Sequence, residues 1–408
     1  MKKLLLPFAF LNVLMLCQAQ VTDPLITSWK INTTGHTING ILTDVEAVYY
    51  DNSYVYVKSS GVPSYYDFNN GNVNDASDKN YTFKLTRTPQ MANTPPSNLN
   101  GGPCGLLIDG TTFFNPEDAR SYQNANVWHQ IAYYFEGSDF DSTWGHSTPT
   151  NEYHHHVIDL ALANKADSVK HSPLIGYAFD GYPMYGPYGY SDPNDTNSTI
   201  VRITPSYQTR NISQRTTLPN GTVLQANQYG PAINNQYPLG VYREDWEYVA
   251  SSGMLDDHNG RFCKTPEYPN GVYAYFTTVD DTLGPRYPMY VGQTFYGVIT
   301  QGNMGPNGGQ NTVPGSATQY TPVSGLAEET LGHLNFYPNP TNNFVNFVLP
   351  QGASAGEVAI YNLEGKQILT TSGVNYVDVS SLTNGVYLIS VADKQTDSKW
   401  ISRFTKMQ

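Results

Sequence analysis

The chain has 408 residues and is 39% apolar, 13% aromatic and 14% charged, with 32 Tyr, 35 Gly and 27 Pro. That length allows two or three domains, and so little charge beside so many aromatics excludes a disordered chain or a coiled coil. The net charge is −12 and Lys and Arg are nowhere clustered, which excludes the phosphate-tracking groove of a nucleic-acid binder.

Met1 to Ala19 begins with Lys2 and Lys3, runs through the apolar stretch Leu4 to Leu16 and ends in small residues before Gln20. This is the pattern of a signal peptide (1–19) cut between Ala19 and Gln20, and it predicts a secreted protein. The apolar stretch falls short of the roughly 20 residues that cross a bilayer, so no transmembrane segment is expected. In an oxidising compartment Cys104 and Cys263 are expected to pair as a disulfide, the competing reading being two separate buried thiols.

After a lead-in over 20–37, residues 38–300 read as one large domain. Richness in Gly, Pro, Asn, Thr and Tyr disfavours long helices and suits short strands joined by turns, so the fold class is all-β. Gly105 to Pro116 and Gly176 to Pro187 share Gly, Asp-Gly, an aromatic and Pro at identical offsets. Each predicts a hairpin with an Asp-Gly turn, and together they predict a duplicated architecture. Asp109 and Asp180 then read as turn residues tolerating positive φ.

The functional signal is the histidine concentration between Gly145-His146 and Tyr153-His154-His155-His156. In a strand, residues i and i+2 share a face, so His154 and His156 project together and can converge on one metal ion. Imidazole suits Zn and also Cu, and His146 is the expected third ligand. Tyr153 and His155 point to the other face, with Tyr153 a possible outer-shell partner. Further ligands or outer-shell groups are sought at His171 and in Asp256-Asp257-His258, where Asp256 or Asp257 is the candidate proton acceptor if the site is catalytic.

Residues 301–332, dense in Gly, Pro, Asn, Ser and Thr, read as a linker. Residues 333–408 alternate apolar and polar in runs such as Phe344 to Val348, Val358 to Tyr361 and Val386 to Val391, which predicts a small immunoglobulin-like β-sandwich of six or seven strands.

Two resemblances follow from these residues. Phe336-Tyr337-Pro338-Asn339-Pro340-Thr341, Ile360-Tyr361-Asn362 with Gly365-Lys366, Asp378 to Leu382, and Asn384-Gly385-Val386-Tyr387-Leu388 resemble the C-terminal (Por) type A sorting domain of the type IX secretion system of Bacteroidota. That implies the secretion machinery as partner, export across the outer membrane, removal of the domain, and a product released or held at the cell surface. Over 38–300 the chain resembles the YHYH-domain family. The match is carried by Tyr54-Val55-Tyr56-Val57 with Ser60-Gly61-Val62-Pro63, Gly145-His146, Tyr153 to His156, Ser172 to Pro187, Leu255-Asp256 with Asn259-Gly260-Arg261, and Tyr268 to Phe276. The chain departs from the name motif at His155, where the family has its second Tyr. The resemblance brings no activity with it. No HExxH, GxSxG or catalytic Cys pattern assigns a reaction, so enzyme status stays open. The alternative to a metal protein is a non-catalytic binding module for surface glycan or protein, using the Tyr182 to Tyr190 run as contact area.

Overall fold

The computed structural model describes residues 21–68, 74–93, 99, 102–159, 161–162, 168–305, 307–322, 336–349, 354–362, 366–394 and 399–407. The signal peptide and its cleavage point at Ala19 and Gln20 lie outside the described residues. The chain divides into two compact units between Pro322 and Val323. Among the described residues the α-helices are two single turns, Pro24–Thr27 and Ala132–Phe135, and strands dominate, as an all-β chain requires.

The large unit begins before residue 38. Asp23 caps the first helical turn, its Oδ1 accepting the Leu25 N–H at 3.1 Å, and Leu25, Ile26 and Trp29 are buried in the main core. The expected lead-in is thus part of the domain. The expected linker is shorter for a similar reason. Strand Thr318–Tyr320 pairs with Val45–Tyr50, which continues through Tyr54–Ser59 to Tyr81–Thr86 in a four-stranded antiparallel sheet. Polar loop composition here serves backbone satisfaction instead of flexibility. The Asn303 side chain donates to Lys84 O at 2.6 Å and accepts from Lys84 N at 3.0 Å.

Against this sheet packs a central one of eight strands, numbered in chain order: β1 (Pro103–Leu107), β2 (Thr112–Phe114), β3 (Gly145–Ser147), β4 (Tyr153–His155), β5 (Leu174–Ala178), β6 (Pro183–Tyr185), β7 (Gly260–Cys263) and β8 (Val272–Phe276). Their order across the sheet is β3-β4-β2-β1-β5-β6-β8-β7. Both expected hairpins are present, and the duplication extends beyond them. In each half the hairpin's second strand takes a parallel neighbour, β4 beside β2 and β8 beside β6, and that neighbour takes an antiparallel edge strand, β3 or β7. The halves meet where β1 pairs antiparallel with β5. Hairpin and ladder registers then equate Gly145 with Gly260, His146 with Arg261, His154 with Ala274, His155 with Tyr275 and His156 with Phe276.

In the two Asp-Gly turns the positive φ falls on glycine, +86° at Gly110 and +90° at Gly181, so the aspartates are not the residues that need it. A Cβ on Gly110 would lie 2.2 Å from Ser59 Oγ and one on Gly181 2.7 Å from Thr86 Cγ2, because both turns press onto the four-stranded sheet. Asp109 and Asp180 are fully buried beneath the turns, accepting from Thr111 N at 3.0 Å and Tyr182 N at 3.2 Å. The Tyr-rich run after the second turn is core: Tyr182, Tyr185 and Tyr188 are all buried, so it offers little contact surface.

The expected disulfide is absent. Cys104 and Cys263 are separate buried thiols. Cys104 lies on β1 and Cys263 on β7, with β5, β6 and β8 between them in the sheet. Four strand spacings are about 19 Å, whereas a disulfide needs Cα atoms within about 7 Å.

The described residues of the C-terminal unit place seven strands in a three-stranded and a four-stranded sheet: Phe336–Tyr337, Phe344–Phe347 and Tyr376–Asp378; Gln367–Ser372, Ala355–Tyr361, Gly385–Asp393 and Lys399–Lys406. Val345, Phe347 and Val377 from the first meet Val358, Ile360, Ile389 and Phe404 from the second in one core, which makes the unit a sandwich.

Candidate metal centre

His146 on β3 and His154 on β4 are directly opposed in the antiparallel ladder, and His156 follows just past the end of β4 on the face of His154. The ring nitrogens converge as the spacing predicts. His154 Nε2 lies 3.1 Å from His146 Nε2 and 3.0 Å from His156 Nε2, and the three ligand atoms fall within 4.8 Å of one another. All three side chains are buried.

The other ring nitrogens of His154 and His156 fix the tautomers of those two rings. His154 Nδ1 lies 3.1 Å from Glu152 O and His156 Nδ1 2.7 Å from Asn115 O. A carbonyl can only accept, so each Nδ1 carries the proton and each Nε2 presents a bare lone pair. Burial holds His146 down to about 4 and His156 down to about 3, and drives His154 well below the ordinary value, the neighbouring imidazoles adding to the effect. The facing lone pairs of His154 and His156, 3.0 Å apart, repel one another unless a cation lies between them.

Aromatic rings wall the cluster. Phe114 stacks on His154 with centroids 3.9 Å apart, and Phe140 packs edge-on against His146 at 4.8 Å. The open side faces a cavity of about 360 Å³ lined in part by Glu117, Asp118, Arg120, Glu136 and Asp139. Glu136 closes the single turn Ala132–Phe135, and its Oε2 stands 3.6 Å from His156 Nε2 and 3.8 Å from His146 Nε2. Desolvation, then Asp118 and Asp139, pushes its carboxyl up to about 7. Sequence reasoning missed Glu136: it lies in a different loop from the histidines, with no spacing that connects it to them.

Tyr153 does face away, and it acts through the backbone. Its hydroxyl donates to Asp141 Oδ2 at 2.6 Å, while Asp141 Oδ1 accepts the Gly145 N–H at 3.1 Å. The start of β3, and with it His146, is clamped to β4. A Cβ on Gly145 would lie 2.2 Å from the Tyr153 hydroxyl, so only glycine fits.

The same clamp recurs in the second half, and that is the place of Asp256. Its Oδ1 accepts from Gly260 N at 3.1 Å, His258 N at 3.0 Å and the Tyr273 hydroxyl at 2.9 Å. Asp256, Asp257 and His258 are therefore not brought to the cluster: His258 turns its Nδ1 to Thr294 and Asp257 is half-exposed 3.6 Å from His258. His171 is also elsewhere, packed against Tyr185, Tyr190 and Phe276. In the second half Arg261, Ala274 and Phe276 stand where the first has its three histidines, so only one copy of the scaffold carries the centre.

Behind β4, His155 Nε2 lies 3.4 Å from Asp159 Oδ2, and the Tyr65 hydroxyl bridges Asp159 to Asp109, donating at 3.0 Å to the latter or receiving its proton. Burial, and then Asp159, pushes Asp109 up to about 6. In the second half the equivalent Tyr275 donates to Asp180 at 2.6 Å. His155 thus stands where the second half has a tyrosine in a buried carboxylate network, and the pair His154 and His156 on the other face is untouched by the change.

Two family signatures match the chain. The signature described as YHYH protein matches residues 82–289, about half of the chain, and that of the secretion system C-terminal sorting domain matches residues 335–404. No curated protein matches the chain. Among solved structures, PorZ, described as an essential bacterial surface component of the type-IX secretion system of Porphyromonas gingivalis, aligns at 12% identity and a TM-score of 0.16. The alignment covers 89% of this chain and 45% of that one, a likeness too low to carry an argument. The sorting domain marks a product exported by the type IX system to the cell surface or beyond, and no described helix is long and apolar enough to cross a membrane. The chain belongs to the YHYH protein family and carries a C-terminal sorting domain after its family domain.

Proposed function

We propose that the exported large domain binds a transition metal ion, Zn or Cu, through Nε2 of His146, His154 and His156. The observation that carries this is the confrontation of two bare lone pairs, those of His154 and His156, at 3.0 Å, with His146 Nε2 converging on the same point 3.1 Å from His154 Nε2. Nitrogen ligands of a tetrahedral ion at 2.0 to 2.1 Å stand about 3.3 Å apart, so the two short contacts need open by only a few tenths of an ångström to admit an ion, and all three nitrogens lie within 4.8 Å of one another. The Nδ1 bonds to Glu152 O and Asn115 O are the outer contacts that orient ligating imidazoles. Aromatic walls on the closed side leave the fourth position facing the acidic cavity, which draws cations in. A role for Asp256 or Asp257 as proton acceptor finds no support, since Asp256 clamps the other half of the sheet and Asp257 lies exposed beside His258.

The test is the metal content of the untagged protein beside a His154→Ala, His156→Ala double variant. About one equivalent of a single metal in the wild type, lost from the folded variant, supports the reading. A wild type that takes up neither Zn nor Cu on reconstitution returns the domain to a metal-free binding module for surface glycan or protein.

A further inference from the structure

We infer that Glu136 is the fourth donor of the centre, and that this carboxylate makes it a site for a divalent ion such as Zn(II) in preference to Cu(I). The inference rests on the metal reading and narrows it. Glu136 Oε2 is buried with no hydrogen-bond partner, although it faces two imidazole nitrogens at 3.6 and 3.8 Å. A buried carboxylate oxygen without a donor is costly, and His156 Nε2 beside it, its ring proton held on Nδ1 by Asn115 O, offers only a lone pair. One cation between them satisfies all four groups at once. Its distances to His156 and His146 exceed the spacing of adjacent tetrahedral ligands by only a few tenths of an ångström, and rotation of the side chain from the cavity rim brings the oxygen toward His154 as well.

The backbone is set for this role on both sides of Glu136. Its N–H donates to Ala132 O at 2.7 Å, closing the helical turn, and its carbonyl accepts from Asp139 N at 2.8 Å. The side chain therefore starts from a fixed point at the cavity rim. Charge then selects the ion. Three neutral imidazoles leave the full charge of a buried divalent ion uncompensated, which is costly, whereas one carboxylate ligand halves it. Cu(I) is soft, needs less compensation and is well served by few neutral donors, so a hard oxygen donor gives it little.

The experiment uses the full chain, chelator-stripped and untagged, titrated with Zn(II), Co(II) and Cu(I) against competing chelators, with the visible spectrum of the Co(II) form recorded. In Glu136→Gln, which keeps the shape and removes the charge, Zn(II) affinity is expected to fall about 10- to 100-fold. The Co(II) spectrum is expected to change, while Cu(I) affinity moves by less than about threefold. Asp139→Asn removes a charge from the same cavity without touching the histidines, and is expected to leave the Co(II) spectrum unchanged. Thermal melts of both variants confirm the fold. Unaltered Zn(II) affinity and Co(II) spectrum in Glu136→Gln overturn the role of Glu136 while leaving the three-histidine site standing. An equal effect from Asp139→Asn also overturns it, by showing that only the cavity's field matters. A wild type that binds none of the three ions removes the metal reading itself.

Discussion

Metal binding at this cluster must appear as folding stability, because the ligands come from two strands and the residue past one of them and meet only in the native state. Zn(II) at 100 times its dissociation constant stabilises the native protein by about 2.7 kcal/mol, and at 1,000 times by about 4.1 kcal/mol. For a unit of about 300 residues the entropy of unfolding near the midpoint is about 0.6 kcal/mol/K, so the melting temperature rises by about 4 °C and then about 7 °C. His154→Ala is the decisive perturbation, since this ring brings its Nε2 to 3.1 and 3.0 Å from those of the other two. The variant loses about 2 to 3 kcal/mol in the metal-free state through the space left in a buried site, partly offset because the facing lone pairs are gone. Its melting temperature should then be independent of Zn(II). Calorimetry over a Zn(II) series, starting from chelator-treated protein, reads both effects. A wild-type midpoint that ignores saturating Zn(II), or a variant that shifts as far as the wild type, refutes the reasoning.

Gly145→Ala forces a Cβ to 2.2 Å from the Tyr153 hydroxyl; it should cost about 1 to 3 kcal/mol and weaken metal uptake by displacing His146, whereas unchanged metal affinity would show that the clamp does not position that ring. The stability contributed by His156 has a definite sign with pH. Burial holds its folded value down to about 3, so the unfolded chain takes a proton that the native chain refuses, and this contribution, present above pH 6.5, is lost as pH falls toward 3 at about 1.4 kcal/mol per pH unit. Buried acids such as Asp180, raised to about 6 by desolvation, pull the other way, so the measurement is a difference: between pH 6 and 5, metal-free wild type should lose about 1 kcal/mol more than His156→Phe in urea titrations. Equal losses would sink the assignment. Cys104 and Cys263, both buried and unpaired, should resist a thiol reagent in the native protein and yield two equivalents on denaturation without reductant; recovery of none would restore the disulfide.

Much of this protein was legible in residue order because the determining interactions are local. The Asp-Gly hairpins depend on a glycine at +86° or +90° within a few residues of its partner strand, and period-two alternation announces the C-terminal sandwich. The shared face of His154 and His156 follows from strand geometry alone. What only the tertiary structure decided depends on neighbours distant in sequence. Strand order puts three strands between the two cysteines, which no count of cysteines can reveal. Register equates Asp256 with Asp141, turning a candidate proton acceptor into the clamp of a half that has Arg261, Ala274 and Phe276 in place of the ligands. The strand at Thr318–Tyr320 hides in linker-like composition because a ladder needs only backbone N–H and C=O groups. Glu136 reaches the centre because the chain between β2 and β3 folds back over the cavity, a closure that leaves no periodic trace in the sequence.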